Sequence, residues 1–179
     1  MTVNQIKFEA LRNAIYNAAR KRFLNRLNRL FSFIIVIAGA SAMSDLGKIW
    51  GIDNATVYAV AVATLAATAQ LVFDFGGLGN VHDNLQRRYY ELLAEVIDNP
   101  SEDDASNWES QLTRIYADEP APMRALDAIA RNAAVEALGI KKQRVRVTPW
   151  QTLWSQICPF NDAEFPYVDA REETALPSA

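Results

Sequence analysis

The chain of 179 residues holds one histidine, His82, and one cysteine, Cys158. Any Ser–His–Asp or Cys–His arrangement would have to use His82, and a metal site with two histidines cannot be assembled. The sequence has no glycine-rich phosphate loop. An enzyme is therefore the least expected class, and no catalytic residue, metal ligand or cofactor is assigned. His82 has an ordinary reading as a helix-end or interfacial residue. Its second reading is as a pH-sensitive group, because a histidine titrates at about 6.5 when unperturbed. The more suggestive polar residues lie in the least polar part of the chain: Thr56, Thr64, Thr68, Gln70 and Asp74. Hydroxyls and an amide on one face of an apolar helix could line a water-filled path, with Asp74 at its mouth. In the plainer reading the hydroxyls bond their own backbone and serve packing. That reading is favoured on general grounds, because small and hydroxyl residues serve packing first. Beside them Ala55, Ala59, Ala63 and Ala67 recur every fourth residue, a small-residue face that lets two helices approach closely.

These residues need an element to carry them. Ala55 to Phe73 runs for 19 residues without a charge, which as a helix spans roughly 28 Å, close to the hydrocarbon thickness of a bilayer. A companion, Leu30 to Ser44, has 15 uncharged residues, and its helix is expected to continue past Asp45 and Lys48 toward Trp50. Gly51 to Asn54 supplies the turn. The sequence thus predicts two transmembrane helices, over 30–50 and 52–75, joined as a hairpin. Ala40-Ser41-Ala42 has the form of a signal-peptide cleavage site, but the preceding polar region is too long and a second apolar segment follows, so cleavage is rejected. The lone cysteine excludes an internal disulfide framework.

Charge orients the hairpin. Residues 1–29 carry seven Lys or Arg against one acid, whereas residues 80–179 carry ten bases and 17 acids. Arg20, Lys21, Arg22, Arg26 and Arg29 precede the first span, and Arg87 and Arg88 follow the second. By the positive-inside rule both termini are expected in the cytoplasm of a bacterial inner membrane, with these bases on lipid headgroups. Nucleic acid is not an expected partner, because the aromatics belong to the apolar stripe rather than to the basic clusters.

The remaining sequence reads as helices outside the bilayer. Residues 1–29 form a basic amphipathic helix with Phe8, Leu11, Ile15, Ala19, Phe23, Leu27 and Leu30 on one stripe. After a break at Gly76-Gly77-Leu78-Gly79, a seam of Leu85, Tyr89, Leu92 and Val96 opens a helical module over 80–157. Ser106 to Glu109 has the form of a capping box, Pro122 suits a first helical turn, and Gly139 a helix C-terminus. Trp150, Leu153, Trp154 and Ile157 beside Lys141-Lys142-Gln-Arg144-Val-Arg146 could lie on a membrane surface or form a lid over the helices. Residues 158–179 read as an extended or disordered tail. The expected fold class is all-α: a two-transmembrane hairpin extended by cytoplasmic amphipathic helices.

Four features resemble the SLATT family, the SMODS- and SLOG-associating two-transmembrane effectors. They are the basic helix leading into a first span, the tight two-span hairpin, the run His82-Asp-Asn-Leu85-Gln-Arg87-Arg88-Tyr89-Tyr90-Glu91-Leu92, and a downstream stretch. The run is similar to that family's His-x-x-x-x-x-Arg-Tyr-x-x-Leu pattern; the downstream stretch comprises Glu119-Pro120, Ala125 to Asn132 and Gly139. The likeness covers the chain to about residue 157. It implies a membrane-perturbing effector of a prokaryotic conflict or antiphage system, pore-forming or depolarising, homo-oligomeric, and triggered by a separate sensor protein or a nucleotide signal from a partner. The alternative is a non-conducting membrane adaptor whose cytoplasmic helices recruit a protein.

Overall fold

The structure is a computed structural model and describes residues 1–43, 54–140 and 143–168. The expected end of the first span with Asp45, Lys48 and Trp50, most of the turn, the pair Lys141-Lys142 and the chain beyond 168 lie outside the described residues. The fold is all-helical, and among the described residues the only β pairing is one isolated bridge between Val145 and Tyr167.

Helix α1 runs unbroken from Val3 to Met43, so the expected amphipathic helix and the start of the first span are one element. Helix α2 is Ala55–Phe73 and α3 is Phe75–Asp98. A 3-10 turn, Glu102–Asp104, leads into α4, Ala105–Tyr116; α5 is Arg124–Ala137 and the short α6 is Pro149–Trp154. Helices α1 and the continuous stretch from Ala55 to Asp98 are long and apolar enough to cross a membrane. Their apolar windows are only 11% and 6% buried, unlike the core helix of a soluble bundle.

The chain divides into two bodies, Met1–Arg20 with His82–Ala179, and Lys21–Val81. In the first, α1 is the central element, packed on two faces. Val3, Ile6, Ala10 and Ala14 meet Leu85, Tyr89, Leu92 and Val96 of α3 together with Trp108, Leu112 and Ile115 of α4. Phe8 packs with Ala134 and Val135 of α5, and Tyr16 with Leu126 and Ala130. Each large apolar side chain removed from water in this way contributes about 1.5–3 kcal/mol, which is what holds so short a set of helices together. The apolar stripe expected for α1 is one of these faces, with Phe8 buried and Leu11, Ile15 and Ala19 half-buried. Leu30 is exposed.

Several local signals act at other places than expected. Ser106 is inside α4, not its cap; Ser101 caps the preceding 3-10 turn by accepting from the Asp103 N–H at 3.2 Å, and that turn feeds the helix directly. Pro122 lies ahead of α5, whose cap position is Met123. Gly139 does close α5: at φ 64° it accepts the left-handed turn, and Ile140 N–H and Gly139 N–H return to the carbonyls of Val135 and Glu136. The start of the supposed tail is tied down, since Arg146 N–H donates to Pro166 O and Val168 N–H to Arg144 O.

Candidate functional site

The second body is an antiparallel pair formed by α1 beyond Arg20 and α2 with the first turns of α3. The order of contacts sets the direction: Gly79 lies against Asn25, Gly76 against Asn28, Phe75 stacks on Phe31 at 5.3 Å, and Gln70 reaches Asn28 and Ser32. Along α1 Leu24 and Ala38 are buried, and Asn25, Leu27, Asn28, Phe31, Ile34 and Ile35 between them are half-buried.

Along α2 the inward positions are Ala55, Ala59, Ala63, Ala66, Ala69 and Gln70. Of the alanine repeat, Ala55, Ala59 and Ala63 are half-buried and Ala67 is exposed, while the buried alanine is Ala66. A strict four-residue repeat drifts by about 40° per step on a helix of 3.6 residues per turn, so one step of three is needed to stay on one face.

Thr56, Thr64 and Thr68 are all exposed on the surface of this body. The Thr64 hydroxyl donates to the Val60 carbonyl at 2.9 Å, a self-contained bond that a helix can keep in an apolar medium. At 100° per residue Gln70 lies about 160° around the helix from Thr68 but only about 40° from Thr56, on the side turned toward α1. Its Nε2 donates to Asn28 Oδ1 at 2.7 Å and to Ser32 Oγ at 3.0 Å, a polar tie between the two helices. Asn28, Gln70, Asp74 and Gly76 edge a hollow of about 550 Å³ beside that tie.

The break between α2 and α3 is made at Asp74 and not at the glycines. Asp74 takes the left-handed conformation at φ 40°, ends α2 through its own N–H to Gln70 O, and caps α3 by accepting from the Gly77 N–H at 3.0 Å. A Cβ on Gly77 would overlap the Asp74 carboxylate, and one on Gly79 would meet Asn25 Oδ1 at 2.5 Å. The glycines admit a cap and a close helix contact, and the helix continues through them.

In the first body the structure assembles a buried polar network around His82. Its Nδ1 lies 2.7 Å from Asn17 Oδ1. Asn17 Nδ2 uses both its hydrogens, one to Asn13 O at 2.9 Å and one to Glu119 Oε1 at 3.1 Å. The Asn17 oxygen must therefore accept, which places the proton of neutral His82 on Nδ1. Burial first, and the charge of Arg20 second, push the His82 pKa down to about 4. Such a shift favours the neutral imidazole near neutral pH.

Around this centre Tyr116 Oη donates to Glu9 Oε2 at 3.2 Å and accepts from Asn13 Nδ2 at 3.1 Å. Arg12 bridges Glu9 and Asp127, both at 2.8 Å. Burial pushes the Glu119 carboxyl up, partly offset by its polar neighbours Tyr89 and Asn17. The buried Tyr89 hydroxyl faces that carboxylate but reaches no partner at hydrogen-bond geometry among the described residues. Asn13 and Asn17 had drawn no expectation, and Glu119 had been singled out only with Pro120 in the downstream stretch, not as a member of a buried network. Their signal was two asparagines four apart, on the same helix face as Ala10 and Ala14.

The basic residues separate into different environments. Arg20 is half-buried, and its Nη1 donates to Gln156 O at 2.7 Å. Arg88 pairs with Asp118 at 2.5 Å on the surface. Arg22, Arg26, Arg29 and Arg87 are exposed, and Lys21 is half-buried. No family model, curated protein or solved structure matches the chain.

Proposed function

We propose that the chain is a two-span protein of the bacterial inner membrane, with both termini in the cytoplasm, whose copies associate in the bilayer to perturb or depolarise it when a separate sensor or nucleotide signal arrives. The observation that carries this reading is the outer surface of the helix pair. Phe33, Val36, Ile37, Val57, Val60, Leu65, Leu71 and Val72 are all exposed in the single chain. Water would oppose so much contiguous apolar surface, whereas lipid tails and sister helices accept it. Thr56, Thr64 and Thr68 are exposed on the surface of the single chain, where another copy can meet them. A path enclosed by two-helix subunits needs several copies, so homo-oligomerisation belongs to the proposal. The Asp74 carboxylate and the hollow next to it mark the end of the pair that the positive-inside rule assigns to the cytoplasm.

The test is controlled expression in bacteria loaded with a potential-sensitive dye. Loss of membrane potential that tracks protein level, together with a detergent-solubilised mass of several chains, upholds the reading. Overexpression drives association by mass action without the signal, so an intact potential with a membrane-inserted protein that is oligomeric at that level points instead to the non-conducting adaptor.

A further inference from the structure

We propose that the face Trp150–Leu153–Ile157 is a membrane-surface anchor, which lays the C-terminal part of the helical body against phospholipid headgroups. Helix α6 opens with a complete capping box, Thr148 accepting from the Gln151 N–H at 3.2 Å and Gln151 Oε1 accepting from the Thr148 N–H at 2.8 Å. That cap fixes the short helix and so fixes which residues face out. Trp154 is half-buried and Ser155 buried, while Trp150 and Leu153 of α6 and Ile157 in the turn that follows it are 63%, 70% and 57% exposed. Three large apolar side chains are thus held in water by a well-capped element, which calls for an occupant.

Two observations favour lipid over a protein partner. The segment from Thr148 to Asn161 has no charged residue; four bases, Lys141, Lys142, Arg144 (paired with Glu136 at 3.6 Å) and Arg146, precede it, and two acids, Asp162 and Glu164, follow. An uncharged tryptophan-bearing face next to basic residues matches the acyl–headgroup boundary of an anionic leaflet. A protein interface would be expected to carry a charged or polar rim. The second observation is tethering. Arg20 holds Gln156 O, and only ten residues separate Arg20 from Leu30, where the first apolar run begins. Ten residues reach at most about 35 Å even when fully extended. If the run at Leu30 enters a bilayer, this face cannot leave its neighbourhood, and the high local concentration lets a weak surface affinity suffice. The inference rests on the membrane reading proposed above, and its test separates the two.

The full chain with Cys158→Ser is reconstituted into vesicles of phosphatidylcholine and phosphatidylglycerol. A single cysteine is introduced either as Leu153→Cys or, as reference, as Val62→Cys in α2, and labelled with an environment-sensitive fluorophore. Both positions are exposed in the single chain, so the labels leave the packing intact. Quenching is compared for nitroxide lipids labelled near the headgroup, nitroxide lipids labelled at the chain end, and aqueous iodide. The expected result is several-fold stronger quenching of the label at 153 by the shallow lipid than by the deep one, several-fold protection from iodide, and deep quenching at 62. Deep quenching at 62 with an iodide-accessible label at 153 overturns the anchor and leaves the membrane reading standing. So does a label at 153 shielded from iodide yet untouched by either lipid, which would mark a protein contact. Absence of lipid quenching at 62 overturns the membrane reading and the anchor with it.

Discussion

His82 and Asn17, 65 residues apart in sequence, share a 2.7 Å hydrogen bond in a site that excludes water almost completely. The bond fixes the tautomer of the histidine, and its burial sets the sign of a pH effect. The unfolded chain takes up this proton near pH 6.5, whereas the folded chain does so only near pH 4. Between those values the unfolded state binds more protons. Stability is therefore fully present above 6.5 and declines as the pH falls toward 4, by up to about 3 kcal/mol. Glu119, whose carboxyl pKa is raised by burial, works in the opposite direction at the acid end. Thermal unfolding of the detergent-solubilised protein from pH 7.5 to 4.5 should show the decline, and His82→Gln should flatten it. An NMR midpoint near 6.5 for the His82 ring would place it in water and refute the assignment.

Asn17 is the joint of the same network. Its replacement by alanine strands the His82 N–H and one oxygen of Glu119 in a buried site, at about 1–3 kcal/mol for each unmade bond. The expected loss for Asn17→Ala is on the order of 3 kcal/mol, read as a fall in Tm of roughly 10 °C. A fall of a degree or two would mean that water replaces the amide readily.

The Asp74–Gly77 relation predicts a non-additive pair. Gly77→Ala should drive out the Asp74 carboxylate and lose a helix cap, about 1 kcal/mol. Asp74→Gly keeps the left-handed turn accessible and removes the carboxylate. In that background Gly77→Ala should cost nothing, or stabilise by up to about 1 kcal/mol, because alanine is the better helix former. Helicity monitored during thermal unfolding of the four proteins closes the cycle. Additive effects would show that the carboxylate does not occupy the space above Gly77.

The sequence made periodic features legible and left pairwise ones hidden. Leu85, Tyr89, Leu92 and Val96, and Trp108, Leu112 and Ile115, are buried as their spacing implies, because burial on a helix repeats every 3.6 residues. On α2 the buried alanine is Ala66, which the four-residue alanine repeat does not include. A polar contact such as Asn17 with Glu119, or Arg12 with Asp127, depends on which helices become neighbours, and no local pattern carries that. The central position of α1 was hidden for a related reason. A helix packed on two sides needs two apolar faces, and here the second is built from Val3, Ile6 and small alanines interrupted by asparagines. The helix break was visible as a region, but its site was assigned to residues that permit it, Gly76 to Gly79, instead of the residue that makes it, Asp74.

The threonine strip carries the functional prediction. Thr56, Thr64 and Thr68 face outward from the helix pair, while Gln70 is occupied between its helices. If copies of the protein enclose a conducting path, hydroxyls on an outward face are placed to hydrate it, and Gln70 serves to hold the pair together. Thr64→Val with Thr68→Val keeps shape and volume nearly constant while removing both hydroxyls. Depolarisation in cells should fall while protein level and oligomer mass stay unchanged, and serine at both positions should restore it. Gln70→Leu should instead weaken the tie to Asn28 and Ser32 and lower the thermal stability of the solubilised protein, with depolarisation falling in proportion to the folded fraction. The two variants thus separate a lining role from a packing role. Undiminished depolarisation by the double valine variant would show that the path is lined by other residues, and the assignment of the strip would fall while the membrane-perturbing reading remained.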